Sequence, residues 1–301
     1  PPIGVRGATG PSTMLAFSED EKIIFTGNPR GVSRFWRAPE IPPVIEGGDP
    51  LSGQPLWQPS ADRVVAALPG SQGIVIGDPA GHVHVLSAGS GLEEARALSE
   101  DVSFIGHNAE IMILAADPQG RLVASAAVDN SIRVWNVANG KPLPYMKDIE
   151  GEMISQLAFS PDGGLLAVLK STSLAVLDVS DGAILAEFEL GDLHRSLVFA
   201  ADDRLYTGSE GALLRQFARD ADGNWSVQQL WRGTRPIRQL AASPRGTYLV
   251  LVDDTGLASQ FVLAEGYIGE KTLEFPGPVE EVTFNRSGSR AYFRTARWTH
   301  R

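Results

Sequence analysis

Seven reference residues, Phe17, Ala67, Ala116, Phe159, Phe199, Ala242 and Phe284, stand 50, 49, 43, 40, 43 and 42 residues apart, and each closes a similar short run. A small residue precedes each one: Ala16, Ala66, Ala115, Ala158, Val198, Ala241 and Thr283. One place earlier stands Leu or Val every time: Leu15, Val65, Leu114, Leu157, Leu197, Leu240 and Val282. In six units a bulky residue (Trp36, Leu86, Trp135, Leu177, Phe217, Phe261) follows 18 or 19 positions later. A period in the forties, filled with short strands and Gly-rich turns, is the pattern of β-propeller blades.

The fourth unit shows the grammar most clearly. It predicts strands over 154–159, 165–169, 174–178 and 183–190, broken by SPDGG, KSTS and SDG. Each break carries turn residues, and each strand alternates or runs apolar. A four-stranded antiparallel sheet cannot bury both faces alone, so neighbouring units must stack. The recurring Leu/Val is expected to fill the inter-blade core, and the small residue beside it to face a crowded central channel. The expected fold is all-β: one seven-bladed propeller over 1–301, with four antiparallel strands per blade. The blades fall near 12–46, 62–99, 110–147, 153–190, 194–231, 237–275, and 279–301 with 2–6. The seventh unit has no fourth strand of its own, so residues 3–6 are expected to supply it. That pairing would close the ring and remove an exposed edge. ARALSE, the nearest thing to a helix, is read as an outer strand plus turn of the second unit.

The third unit, GHNAEIMILAADPQGRLVASAAVDNSIRVWN, resembles the WD40 repeat: a Gly-His pair, an interior DPxG turn, S-x-x-x-D and a terminal Trp-Asn in place of Trp-Asp. The resemblance implies that His107, Ser125, Asp129 and Trp135 form that family's structural hydrogen-bond tetrad. The other units keep the spacing and drop the polar members; Thr207 alone survives in the fifth.

Composition excludes several functions. A formal charge of -10 disfavours a non-specific nucleic-acid binder. The count of 0 Cys removes disulfides, thiolate catalysis and Cys-ligated zinc. No apolar run approaches the roughly 20 residues needed to cross a bilayer, so no membrane insertion is expected. The stretch PPIGVRGATGP has no basic segment followed by an apolar one, so no signal peptide is expected in it. With no initiating Met, the chain reads as one domain of a larger polypeptide. Degenerate repeats, abundant Ala and absent Cys point to a bacterial protein, with the cytoplasm slightly favoured over the periplasm.

Catalysis is not expected. The side chains placed to line the channel, Met14, Val64, Ile113, Gln156, Ser196, Gln239 and Glu281, include a single carboxylate, whereas glycoside hydrolysis and related chemistries need two or a metal. His82 and His84 share one strand face, but with no third ligand nearby in sequence they read as a solvated face. The ARDADGN stretch, with Asp220 and Asp222, reads as a hairpin turn rather than a calcium loop. No metal or cofactor is expected.

The loops that join blades, and the turns between second and third strands, share one face, the top. Aromatic and cationic candidates for partner binding gather there: Trp57, Trp231, Arg232, Arg235 and Arg238, with Arg30 and Arg195 in equivalent loops. Such residue types are enriched at binding hot spots. Glu100, Asp101, Glu110, Asp148, Glu150 and Glu152 make the third and fourth units acidic, so an electrically split face is expected. The function expected is a non-catalytic protein-interaction scaffold. Its partner would be a protein or peptide segment, acidic or phosphorylated, or another domain of the same polypeptide. Two alternatives stay open: a hydrolase or lactonase-like propeller with a loop-built metal site, and an architectural domain that positions a neighbour.

Overall fold

The computed structural model describes residues 14–17, 23–27, 33–37, 64–69, 73–87, 99–144, 147–148, 153–201, 203–264, 267–275, 277–284, 288 and 291–295. Seven antiparallel sheets follow one another among the described residues. The first holds β1 (Met14–Phe17), β2 (Ile23–Gly27) and β3 (Ser33–Arg37). The second holds β4 (Val64–Leu68), β5 (Gly73–Gly77), β6 (His82–Ser87) and β7 (Ser99–Ile105), so its outer strand begins where ARALSE ends and runs past the boundary expected at 99. The third comprises β8 (Ile111–Ala116), β9 (Leu122–Ala127), β10 (Ser131–Asn136) and the short β11 (Lys147–Asp148). The fourth comprises β12 (Ile154–Phe159), β13 (Leu165–Lys170), β14 (Ser173–Asp178) and β15 (Ile184–Glu189). The fifth comprises β16 (His194–Phe199), β17 (Leu205–Ser209), β18 (Leu213–Arg219) and β19 (Trp225–Arg232). The sixth comprises β20 (Ile237–Ala242), β21 (Tyr248–Asp253), β22 (Ala258–Ala264) and β23 (Tyr267–Leu273). The seventh, among the described residues, holds β24 (Val279–Phe284) and β25 (Ala291–Thr295).

Every blade therefore begins with its inner strand, and the inner strands β4, β8, β12, β16, β20 and β24 lie side by side in sequence order. β1 also lies against β24, which makes the first and last sheets neighbours. The expected pairing of residues 3–6 with the end of the chain falls outside the described residues, so closure of the ring by that strand is not seen. Among the described residues, no helix is long and apolar enough to cross a membrane.

Stacking explains why central strands read as continuous apolar runs. In β13, Leu166 and Val168 pack with Ala124, Val134 and Leu157 between the third and fourth sheets. Leu165, Ala167 and Leu169 on its other face pack with Leu197, Leu205 and Phe217 toward the fifth. Both faces of the strand lose water, so alternation disappears. The recurring Leu/Val sits in these seams as expected: Leu114, Leu157, Leu197, Leu240 and Val282 are all buried.

The small residue beside it departs from the expectation. Ala115 packs on the seam toward the fourth sheet, Ala158 toward the fifth, Val198 toward the sixth and Ala241 toward the seventh. The sheets stand radially, so the two faces of an inner strand address two neighbouring blades rather than the channel. Residues three before the reference points follow the same face, which corrects their reading as channel lining. The Gln156 side-chain carbonyl accepts from the Leu197 N–H at 2.8 Å. Ser196 Oγ accepts from the Leu240 N–H at 2.7 Å. Gln239 makes two bonds to Val282, accepting from its N–H at 3.0 Å and donating to its carbonyl at 3.1 Å. In the fourth, fifth and sixth blades one polar side chain thus grips the backbone of the next blade at its Leu/Val position. Glu281, the corresponding residue of the last blade, is buried on the strand that meets β1.

Ser196→Ala removes the acceptor and leaves a buried N–H without its partner. The expected cost is about 1–3 kcal/mol of unfolding free energy. Chemical denaturation measures it, and hydrogen exchange at the Leu240 amide should accelerate selectively.

Candidate functional site

The top face is built by a recurrent irregularity. In five successive sheets the inner strand slips register after its first residue, between Ile111 and Ile113, Ile154 and Gln156, His194 and Ser196, Ile237 and Gln239, and Val279 and Glu281. A bulge leaves one residue unpaired and re-aims its side chain. The residues so displaced are Met112, Ser155, Arg195, Arg238 and Glu280. They sit at the same height in consecutive blades, next to the blade-joining loops.

Beneath this rim, the third blade holds a buried polar chain. Trp135 Nε1 donates to Ser125 Oγ at 2.8 Å, and Ser125 Oγ lies 2.7 Å from His107 Nε2. The other ring nitrogen, Nδ1, lies 2.8 Å from Ser131 Oγ and 3.4 Å from Asp129 Oδ1. Ser131 Oγ donates to Asp129 Oδ1 at 2.6 Å. One assignment satisfies every member: a neutral imidazole accepts from Ser125 at Nε2 and donates to Ser131 from Nδ1. Burial lowers the His107 pKa, with Asp129 opposing, which agrees with the neutral ring. Burial also opposes ionisation of Asp129, but bonds from the Ser131 hydroxyl and the Asn108 and Ser131 N–H groups outweigh it and hold the carboxyl at about 2. Gly106 lets the loop close over the indole, since a Cβ there would stand 2.8 Å from the Trp135 ring.

The structure thus brings His107, Ser125, Asp129 and Trp135 together and inserts Ser131 between the His and the Asp. The sequence reading missed Ser131, although it directly follows the Asp-Asn turn. In the fifth blade Thr207 pairs with Leu197 as Ser125 pairs with Leu114. A separate pair forms there: His194 Nε2 lies 2.9 Å from Asp192 Oδ1, with the imidazole fully buried. The GDLH stretch was its only sequence signal. Asp220 caps its own hairpin turn, accepting from the Asp222 and Asn224 N–H groups.

The expected partner-binding residues separate into two groups. Trp231 and Arg238 are committed to seams. Trp231 is a half-buried outer-strand residue, its ring 5.6 Å from that of Phe261 and its Nε1 donating to Glu270 at 2.9 Å, which ties the fifth blade to the sixth. Arg238 donates to the carbonyls of Val279 and Glu280, both at 2.7 Å, tying the sixth blade to the seventh. Arg195, Arg232 and Arg235 are exposed, and Arg238 remains exposed despite its seam bonds. Arg195 pairs with Glu210, and Arg235 lies 4.0 Å from Asp254. These carboxylates in the adjoining turns offset the positive sector, so the electrical split is weaker than expected. Arg30 and Trp57 lie outside the described residues.

The top face carries apolar groups that the sequence reading did not single out. Met112, Val128, Met153 and Leu257 are 51%, 57%, 71% and 49% exposed, and all four lie at inner-strand beginnings or second-to-third-strand turns. Alternation along β8 would have buried Met112; the bulge turns it out. At the second-to-third-strand turn of the second blade, Asp78, His82 and His84 form a compact cluster.

The WD domain, G-beta repeat family matches residues 99–136, the segment that contains the whole polar chain. Residues 99–136 thus match one WD40 repeat, and the fold is that of a β-propeller. Its fold is similar to the β-propeller domain of Myceliophteria thermophila Cps50 (Swd1), with a TM-score of 0.70 at 12% identity over 93% of this chain and 91% of that one. A chain of a Mitotic Checkpoint Complex gives 0.67 at 16% identity, covering 84% of this chain and 78% of that one. Among curated relatives, Protein hir1 of Aspergillus terreus is 27% identical across 50% of this chain and 15% of its own length. The Ribosome biogenesis protein BOP1 homolog of Caenorhabditis elegans is 24% identical across 63% of this chain and 27% of its own. The chain therefore spans only a minor part of each relative. Both relatives are eukaryotic, and the expected bacterial origin gains no support from them.

Asp129 gives the WD40 repeat a defined acid sensitivity. Its folded pKa lies below its ordinary value of 3.8, at about 2, so its stabilisation is complete above pH 3.8 and fades as pH falls to about 2. That difference corresponds to roughly 2 kcal/mol. Asp129→Asn should lower stability by that order at pH 7, and the gap to wild type should shrink across this window in an acid-unfolding series.

Proposed function

We propose that this WD40 propeller is a non-catalytic protein-interaction scaffold, one domain over residues 1–301, whose top face docks a segment of another protein or of another domain in its own polypeptide. One observation carries the reading: Met112, Val128 and Met153 are exposed at the ends of neighbouring inner strands and their turns, beside the outward Arg195. Methionine adapts its shape to an incoming apolar side chain. Arg195, Arg232 and Arg235 would pair with acidic or phosphorylated groups flanking it. Arg30 and Trp57 belong to the same proposed face by their place in the repeat. The similarity to a chain of the Mitotic Checkpoint Complex supports a role within an assembly. Glu281, the one carboxylate among the residues expected to line the channel, is buried at a seam.

A photo-crosslinking residue placed at Met153 should capture protein partners, whereas one at Ile184 on the outer strand β15 should not. Met112→Glu combined with Met153→Glu should reduce capture of the same partner at least tenfold. Equal capture from both positions overturns the assignment.

A further inference from the structure

A second site lies at the β5–β6 turn of the second blade, on the same face as the methionines and next to Ile111. His82 and His84 lie two residues apart on β6 and project from one face of it. The structure adds what the sequence pattern lacked, a third ligand. Asp78 follows β5, and its Oδ2 lies 3.0 Å from His84 Nε2 and 3.3 Å from His82 Nδ1. The three ligand atoms all fall within 4.8 Å of one another. Four-coordinate zinc with bonds of about 2.0–2.1 Å separates its ligands by roughly 3.3 Å. Two edges of the cluster already lie near that separation, and the third is no longer than 4.8 Å.

The turn also fixes the carboxylate in advance. Asp78 Oδ1 accepts from the Ala80 and His82 N–H groups, both at 2.9 Å, which leaves Oδ2 for the histidines. The Asp78 carbonyl accepts from the Gly81 and Ile111 N–H groups, and its own N–H donates to the His82 carbonyl. Gly81, at a φ of 86°, seats the turn against the loop of the next blade; a Cβ there would meet the carbonyls of His107 and Ala109 at 2.7 Å. Asp253 makes the same turn in the sixth blade, accepting from the Thr255 and Leu257 N–H groups. The turn alone accounts for Asp78; it does not account for two imidazoles converging on its outer oxygen. Burial raises the Asp78 pKa, but bonds from His84 and His82 outweigh it, so the carboxylate stays charged. Side-chain exposures of 38% for His82, 15% for His84 and 12% for Asp78 give an ion a way in and leave room for one more ligand.

We propose that Asp78, His82 and His84 bind one divalent transition-metal cation of the zinc class, held by two imidazoles and one carboxylate. The fourth position takes water. Nitrogen and carboxylate donors without sulfur suit Zn2+ and Co2+, whereas Ca2+ and Mg2+ require an all-oxygen shell.

The test is metal uptake by the tag-free 301-residue chain after chelator treatment. Equilibrium dialysis with Zn2+ should give one ion per chain, and Co2+ should show the intense visible band of a tetrahedral or five-coordinate site. His84→Ala and Asp78→Asn should each weaken uptake at least tenfold, and His82→Ala with His84→Ala should abolish it. Asp78→Asn keeps a side-chain oxygen for the turn, and an unchanged circular dichroism spectrum separates ligand loss from misfolding. Zn2+ should raise the Tm of the wild type and not that of the double variant. Less than one ion per wild-type chain, or uptake unchanged in the double variant, overturns the proposal. Partner capture by the methionine surface is a separate readout, so either result leaves the scaffold proposal to its own test.

Discussion

The structure depends on what each inner strand does to the next one. A blade is a small twisted sheet with two apolar faces, and neither face can be covered from within. Leu114, Leu157, Leu197, Leu240 and Val282 cover one side, and Ala115, Ala158, Val198 and Ala241 the other. Hydrophobic burial is non-directional, however, and would tolerate blades that slide past one another. Gln156, Ser196 and Gln239 remove that freedom, because each bonds a particular backbone group of the following strand. From the fourth blade to the seventh, register between blades is set by polar side chains, and cohesion by apolar ones.

Much of this was legible in the sequence, and the limits are instructive. The four strands of the fourth blade fell within a residue or so of their expected positions, because SPDGG and SDG mark turns whose chemistry is local. The third blade's polar chain was legible because His107, Ser125, Asp129 and Trp135 occupy the positions that the WD40 resemblance names. Periodicity could not reveal which way an inner strand faces. A two-residue alternation says that Gln156 and Leu157 point apart; it does not say whether Gln156 meets a channel or a neighbouring blade. Nor could it reveal the bulges, which leave no distinctive residue: Met112, Ser155, Arg195, Arg238 and Glu280 share no chemistry. Asp78 escaped notice as a partner of the histidines because its proximity arises only when the β5–β6 turn folds back.

The same seams explain where the expected binding residues went. Trp231 and Arg238 look, in sequence, like exposed recognition groups. In the fold each spans two blades, Trp231 through Phe261 and Glu270, Arg238 through the carbonyls of Val279 and Glu280. Large amphipathic side chains suit such places, since one part packs and another finds a polar partner. What remains outward is smaller in charge than composition suggests, because Glu210 and Asp254 accompany Arg195 and Arg235. The apolar methionines then carry more of the top surface's character than its cations do.

The slipped register at the head of each inner strand separates two demands that most protein positions must meet together. A side chain ejected from the ladder completes no strand pair. Ser155 and Arg238 are drawn back to nearby carbonyls, whereas Met112 and Arg195 point outward, so the identities of these two are released from the requirements of folding. Their side chains could be exchanged together, rewriting what the surface selects, with the scaffold left as it is.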